Sequence, residues 1–550
     1  MPLFGLEELS LSYGLNHYSI DGPLRSIASA LSLDDSALES LGRYVGREVL
    51  EVSYRVDIAS SPLLFNWSIR GERTDFSWLD PMEKVVLERL LLEYGVDKEP
   101  LVRGAWAGHY ASIYLIADPG ISCILTLNMQ TAYALYKYSN TVLRDYWKRL
   151  VGARRPLAFG ATWFTEVQGG SDLGANQTIA ESLGSGLWSL TGYKYFASAA
   201  GIADVALVTA RPRGSRPGAK GLSLFSVPRV FDGKLNYRVT RLKWKSGTRA
   251  VPTGEVELLG SRAYMLGEQD KGIYYVMEDL MVSRIANSAG AVGIARKAYL
   301  EAFLYSLIRR AFGKKLIDHE LVKRDLLLME ADIEASLALS MKAATLFESS
   351  WQDRPPYTSK YHYARLVTHI AKNITAETSS RVTAAAMELL GGLGFLQEFP
   401  IERWHREAMI TPIWEGTSNI QALDMLEAMR KKRAHLELLR DAERAASEGY
   451  DKGFASKLLG HLVEEVKKLG SMSPELVEFY SKDSLRTIGS ILATIELERL
   501  ASIADERFHD VAMAYYEYFV KGRLPDRPRE EVLWDIISLR GLLAEYGNRI

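Results

Sequence analysis

Apolar residues recur at helical spacing through most of this chain, and the pattern breaks over one long middle stretch. Asp80-Pro81 predicts a helix start, and Met82 to Tyr94 continues it with apolar residues three and four apart. A further helix is predicted around 143–151. From Pro156 to about Lys271 the texture changes to short β-prone runs, 187–191, 205–209 and 222–227, alternating with Gly, Ser, Pro and Asp turns. Helical periodicity returns after Gly272. The run 273–308 predicts one very long helix or two, and 318–347 and 361–390 predict two more. Gly391-Gly392, with Gly394 close behind, stops the last of these. Beyond 430 helices continue, punctuated at 449–453 and at Leu524-Pro525-Asp526.

The predicted fold is therefore mainly α with an inserted β-domain. Its four parts are an N-terminal helical domain over 1–155, a middle β-domain over 156–271, a helical domain over 272–430 and a helical extension over 431–550. It is not a Rossmann arrangement, because no strand leads through a G-x-G-x-x-G turn into a helix. There is no internal repeat and no low-complexity tract.

Composition narrows the class only a little. At 550 residues, 47% hydrophobic and 25% charged, the chain has ample core material for several domains. A net charge of -1 gives no global pull toward nucleic acid or an anionic membrane. The single cysteine, Cys123, excludes an internal disulfide and reads as a small apolar residue in the run 121–125. No apolar stretch has the roughly 20 residues of a membrane span, and the N-terminus lacks a signal-peptide pattern, so a cytoplasmic location is expected.

Four segments could carry chemistry. Pro412-Ile413-Trp414-Glu415-Gly416-Thr417-Ser418-Asn419 places a carboxylate just before a Thr-Ser pair that reads as an N-cap for the apolar helix 420–429. Glu415 is then either a general base or a solvated carboxylate favouring a helix start. Burial against Trp414 would raise its pKa, and the positive helix end would lower it. Thr165-Glu166-Val167-Gln168-Gly169-Gly170-Ser171-Asp172 is either a ligand-approaching loop or a hairpin turn. Arg309-Arg310-Ala311-Phe312-Gly313 offers a guanidinium to a phosphate or to the helix's own last carbonyls. The run 387–395, Met-Glu-Leu-Leu-Gly-Gly-Leu-Gly-Phe, is a glycine-rich helix exit.

The order and spacing of these segments resemble the acyl-CoA dehydrogenase family, over about 100–430. Gln168-Gly169-Gly170, Tyr195-Phe196-Ala197-Ser198, Glu388, Asn419 and the tail beyond 430 look like its AidB-like branch. The resemblance implies an N-terminal helical domain, a middle β-barrel or sheet domain and a C-terminal four-helix bundle. It implies non-covalent FAD, with Thr165 and Ser171 along the flavin and its ribityl–phosphate edge and Phe196 and Ser198 facing the isoalloxazine. Arg309 and Phe312 would reach a neighbouring subunit's FAD, Glu388, Gly391 and Gly392 would lie by the adenosine, and Thr417 and Asn419 beside the diphosphate.

The implied reaction is α,β-dehydrogenation of an acyl-CoA thioester. Glu415 is the α-proton base, Arg284 its neighbour, and the β-hydrogen leaves as hydride to flavin N5. The family's alternative base position, beside Arg284, is Ser283 here, which cannot serve. Expected partners are acyl-CoA, an electron-transfer flavoprotein and further copies of the chain in a dimer or tetramer. No metal is expected. The AidB-like branch also admits a DNA-binding flavoprotein of the alkylation-damage response with weak or vestigial dehydrogenase activity. From residue 430 onward, however, about twenty basic and about twenty acidic residues are interspersed, which gives DNA binding no support.

Overall fold

The computed structural model describes residues 9–540 and 542. By internal contacts the chain divides into two compact units: Met1–Leu50, Trp106–Ala117 and Arg284–Ile550 form one, and Glu51–Ala105 and Asp118–Ser283 the other.

The second unit is organised by a seven-stranded sheet. Its order is Arg238–Leu242, Thr253–Leu266, Leu187–Ser198, Ile179–Gly184, Val205–Pro212 and Gly160–Trp163, with Ser223–Pro228 joining Thr253–Leu266 to Val205–Pro212. Most pairs are antiparallel, but Gly160–Trp163 runs parallel to Val205–Pro212. Two of the predicted β-prone runs, 187–191 and 205–209, open the strands Leu187–Ser198 and Val205–Pro212, and the third, 222–227, covers most of Ser223–Pro228. Trp163, Leu190, Val208, Phe225 and Val256 fill the core on one side of the alternating strands. Cys123 is half-buried and packs against that core from helix Pro119–Tyr138.

The helix predicted after Asp80 spans Pro81–Leu92, with the Asp80 carboxylate accepting from the Met82 amide as N-cap. The helical reading of the first 155 residues misses one element. Leu63–Trp67 and Arg73–Trp78 form an antiparallel hairpin. Its first strand is only five residues long and turns Leu63, Phe65 and Trp67 to the exposed side, so its apolar run does not mark a core face.

The first unit is helical. The run 273–308 is a single helix, Gly272–Ile308, followed by Glu320–Glu348, Ser359–Leu390 and Ser418–Arg430. Apolar residues surround the long helix almost completely, which is the pattern of a buried element. Helix Ser359–Leu390 stops at Gly391, whose φ of +62° with ψ of −140° is a backbone conformation open to glycine without strain. The extension continues with Lys452–Ser471 and Pro474–Ile503. Helix Pro474–Ile503 lies so close to Ser359–Leu390 that a Cβ on Gly489 would stand 2.5 Å from Ile374. Among the described residues no helix is long and apolar enough to cross a membrane.

Candidate active site

Glu415 stands at the end of a short turn, three residues before helix Ser418–Arg430. Thr417 occupies the N-cap position, but its side chain makes no capping bond. Glu415 has φ +59° and Gly416 φ +98°. A left-handed non-glycine residue costs on the order of 1–3 kcal/mol and persists only where its surroundings over-determine it. Here they do. The Glu415 carbonyl accepts from Arg284 Nε at 2.8 Å and from Gln421 Nε2 at 3.0 Å. The Gly416 carbonyl accepts from the same Gln421 amide at 3.0 Å and from Lys372 Nζ at 2.7 Å. A Cβ at position 416 would approach Gln421 Nε2 at 2.8 Å and Arg284 at 3.2 Å, so only glycine leaves room for these donors.

The donors are themselves held. Gln421 gives its amide nitrogen to both carbonyls, so its Oε1, 2.9 Å from His369 Nδ1, must accept. His369 Nδ1 also lies 3.2 Å from Arg284 Nη1, and its Nε2 accepts from Arg365 Nε at 3.3 Å. Burial lowers the His369 pKa to about 3, helped by Arg284 and opposed by Asp424, which keeps the ring neutral. Arg284 is 2% exposed and pairs with Asp424 at 3.1 Å. Burial lowers its pKa, while Asp424 and Glu415 oppose that shift. Trp414 donates from its indole nitrogen to Asn287 Oδ1. Glu415 itself is half-buried. Ser283, beside Arg284, donates to the Leu280 carbonyl of its own helix.

The remaining predicted residues fall into two sets, one in each unit. In the sheet unit, Thr165 is half-buried and Ser171 exposed, on a loop that closes as a tight turn with Glu166 and Gly169 exchanging backbone bonds. Phe196 is 54% exposed, large for an aromatic on a sheet. Ser198 Oγ lies 3.2 Å from Thr253 Oγ1. In the helical unit, Arg309 follows the long helix and is exposed, with no side-chain ion pair among the described residues. Phe312 is 97% exposed at φ +50°, on the turn between Arg310–Ala311 and Lys314–Lys315. Glu388, Gly391, Gly392, Thr417 and Asn419 are all exposed.

Sequence reasoning missed Lys372, His369, Gln421 and Asp424. Their signal was present: Lys372 and His369 lie three apart among Leu366, Val367, Ile370 and Ala371, so two titratable groups share a buried helix face.

Comparison with known proteins places this geometry. The middle-domain model of acyl-CoA dehydrogenases matches residues 161–260 and the C-terminal-domain model matches 270–430. The putative acyl-CoA dehydrogenase AidB of Escherichia coli is 30% identical over 448 residues, covering 78% of this chain and 80% of that protein. The chain belongs to the acyl-CoA dehydrogenase family. Within it the chain is AidB-like, an FAD-dependent oxidoreductase. Two solved structures extend the likeness over nearly the whole dehydrogenase. Caenorhabditis elegans ACDH-11 in complex with C11-CoA superposes with a TM-score of 0.83 at 25% identity, covering 96% of this chain and 94% of that one. Bd2924 in its apo form gives 0.80 at 31%, covering 88% and 98%.

The exposed residues of the dehydrogenase fit FAD in kind. Arg309 offers an uncommitted guanidinium to a pyrophosphate. A Cβ on Gly391 or Gly392 would meet nothing within 4 Å, leaving bare backbone for close approach. Phe196 and Phe312 present exposed aromatic surface, although the Lys243 ammonium lies 4.9 Å from the Phe196 ring centre.

Proposed function

We propose that Glu415 is the base that removes the α-proton of an acyl-CoA thioester, giving the α,β-unsaturated thioester. What supports this most directly is the anchoring of the Glu415–Gly416 turn: four hydrogen bonds from Arg284, Gln421 and Lys372 hold its two carbonyls in a left-handed conformation. A base fixed through its backbone keeps its carboxyl position constant while the carboxyl charge changes.

In the reaction the α C–H bond breaks, its proton passes to a Glu415 carboxylate oxygen and its electron pair enters the new double bond. FAD, when bound, supplies the two-electron acceptor for the β-hydrogen and its bonding pair. A thioester α-proton is too weakly acidic for a carboxylate in water, so negative charge developing on the thioester oxygen needs a donor. The Glu415 backbone amide is proposed for it, and one such donor is worth roughly 3–4 kcal/mol. Arg284, pinned between Asp424 and the Glu415 carbonyl, orients the turn.

For FAD we assign Thr165, Ser171, Phe196 and Ser198 to the flavin and ribityl portion. Arg309 and Phe312 go to pyrophosphate and adenine across a subunit interface, Glu388, Gly391 and Gly392 to the adenosine, and Thr417 and Asn419 to the diphosphate. An electron-transfer flavoprotein is the proposed acceptor of the electrons. ACDH-11 is seen with C11-CoA, so linear acyl-CoAs of similar length are the first substrates to try.

The test is anaerobic mixing of purified holoenzyme with an acyl-CoA series, following bleaching of the flavin absorbance. Glu415→Gln should retain FAD and lose bleaching by roughly 10²- to 10⁴-fold, the range of general-base contributions. Undiminished bleaching in that variant removes Glu415 from the role.

A further inference from the structure

Lys372 is fully buried on helix Ser359–Leu390, and its ammonium donates to the Gly416 carbonyl at 2.7 Å. Among the described residues no carboxylate lies within 4.0 Å of it. Of the four other buried lysines, Lys297 donates to the Ile116 carbonyl and lies 5.1 Å from the Trp404 ring centre, and three show the usual solution. Lys137 meets Glu278 at 2.6 Å, Lys194 meets Glu166 at 2.7 Å and Lys342 meets Asp441 at 2.5 Å. A buried ammonium without a contacting carboxylate is costly, so its retention calls for a use of the charge itself.

The anion that Lys372 senses is Glu415. Burial and the Arg284 charge lower the Lys372 pKa, Glu415 raises it, and the balance is about 7. The other charged groups of the cluster are committed elsewhere. Asp424 of helix Ser418–Arg430 pairs with Arg284 of the long helix, and Glu427 with Arg365 of Lys372's own helix. His369, one turn away, is neutral at its pKa of about 3. Around the same helix, Asp332 of Glu320–Glu348 holds Arg381, Asp441 of His435–Glu448 holds Lys342 and Arg499, and Arg486 of Pro474–Ile503 holds Glu377.

We propose that Lys372 is a positioning residue for the base: by gripping the Gly416 carbonyl it locks the Glu415–Gly416 turn, and as a buried cation it keeps the Glu415 carboxylate ionised before proton abstraction. This rests on Glu415 being the base. A lysine so placed acts through the backbone and through its field and need not touch substrate. Its loss should therefore change the rate and pH profile of flavin reduction more than substrate affinity.

The experiment uses FAD-loaded enzyme. Lys372→Met matches the side chain in length without charge or donor, and Lys372→Gln restores a donor alone. In Lys372→Met the flavin-reduction rate at saturating acyl-CoA should fall roughly 10- to 100-fold, the cost of a misplaced catalytic group. Its apparent pKa should rise by about one unit, since a nearby cation stabilises a carboxylate. Lys372→Gln should recover part of the rate but keep the shifted profile. A folded Lys372→Met enzyme with wild-type rate and profile overturns the inference.

A second readout needs neither variant to fold and no turnover. In protein labelled with [13Cε]lysine, two lysine signals should titrate below the ordinary range, Lys372 near 7 and Lys194 near 8, and Glu415→Gln should lower the midpoint of the Lys372 signal alone by about one unit. If no lysine besides Lys194 titrates below the ordinary range, or if none of the lowered midpoints moves in Glu415→Gln, the inference is overturned. Bleaching lost in Glu415→Gln with no effect at Lys372 refutes only this inference. Bleaching retained in Glu415→Gln refutes the base assignment beneath it.

Discussion

Glu166 and Glu415 are both glutamates in turns beside glycines, yet they are held from opposite ends. Glu166 is gripped by its carboxylate: Lys194 Nζ at 2.7 Å, Thr178 Oγ1 at 2.5 Å and the Gln177 and Thr178 amides at 2.6 and 3.2 Å all point at its two oxygens. Its pKa is held below the ordinary value by Lys194 and these donors, which outweigh burial. A carboxylate stabilised in that way is a poor proton acceptor, and its place is structural. Glu415 is gripped by its carbonyl and its neighbour's, with the buried cations reaching the backbone. Chemistry needs the second arrangement, in which the backbone fixes the position of the turn.

The comparison can be broken most forcefully at Lys194. Lys194→Met leaves the Glu166 carboxylate buried without its cation and should destabilise the sheet unit by about 3–5 kcal/mol. Denaturant unfolding measures this, and a loss under about 1 kcal/mol would mean the pair does not hold the loop.

A third carboxylate sharpens the contrast. Glu83 is fully buried on helix Pro81–Leu92, and among the described residues neither of its oxygens has a hydrogen-bond partner. Burial, with Asp118 and Asp80, pushes its pKa from 4.5 up to about 8. The sign follows from linkage: the raised folded value favours the protonated form, so stability is complete below about pH 4.5 and is lost as pH rises toward 8. Glu83→Met should therefore raise stability at pH 8 by on the order of 2–4 kcal/mol more than at pH 4.5. Thermal unfolding at the two values checks it, and an equal shift at both would show that Glu83 does not titrate with folding.

A smaller effect is expected at Arg284. Arg284→Lys keeps a charge but cannot both donate to the Glu415 carbonyl and pair with Asp424 as the guanidinium does. Flavin reduction should slow about tenfold, roughly 1.4 kcal/mol, with acyl-CoA affinity little changed. Equal rates in stopped-flow traces would argue that backbone anchoring is dispensable. The smallest effect is at Thr417. Its side chain makes no capping bond, so Thr417→Ala should change stability by less than about 0.5 kcal/mol, below the usual cost of a lost N-cap.

Much of this architecture is legible in the sequence, because its signals are local. The Asp80-Pro81 start, the stop at Gly391 and the β-prone runs around 187, 205 and 222 depend on residues a few positions apart. The Leu63–Trp67 hairpin was hidden because a five-residue apolar run between helices is too short to tell strand from helix, and its apolar residues face outward. At the site, the turn holding Glu415 could be found from its motif. Lys372 and His369 could not be connected to it, since two titratable groups on one helix face do not say which distant turn that face will meet.

The sequence by itself determined the elements, their order and the residues that carry the family's motifs, since periodicity, caps and turn glycines act over short separations. Only the tertiary structure decided how Glu415 is held. Arg284 reaches its carbonyl across 131 residues of chain and Lys372 reaches the next carbonyl across 44. Those meetings are set by how long helices pack side by side, and no local pattern encodes which buried polar groups will face one another.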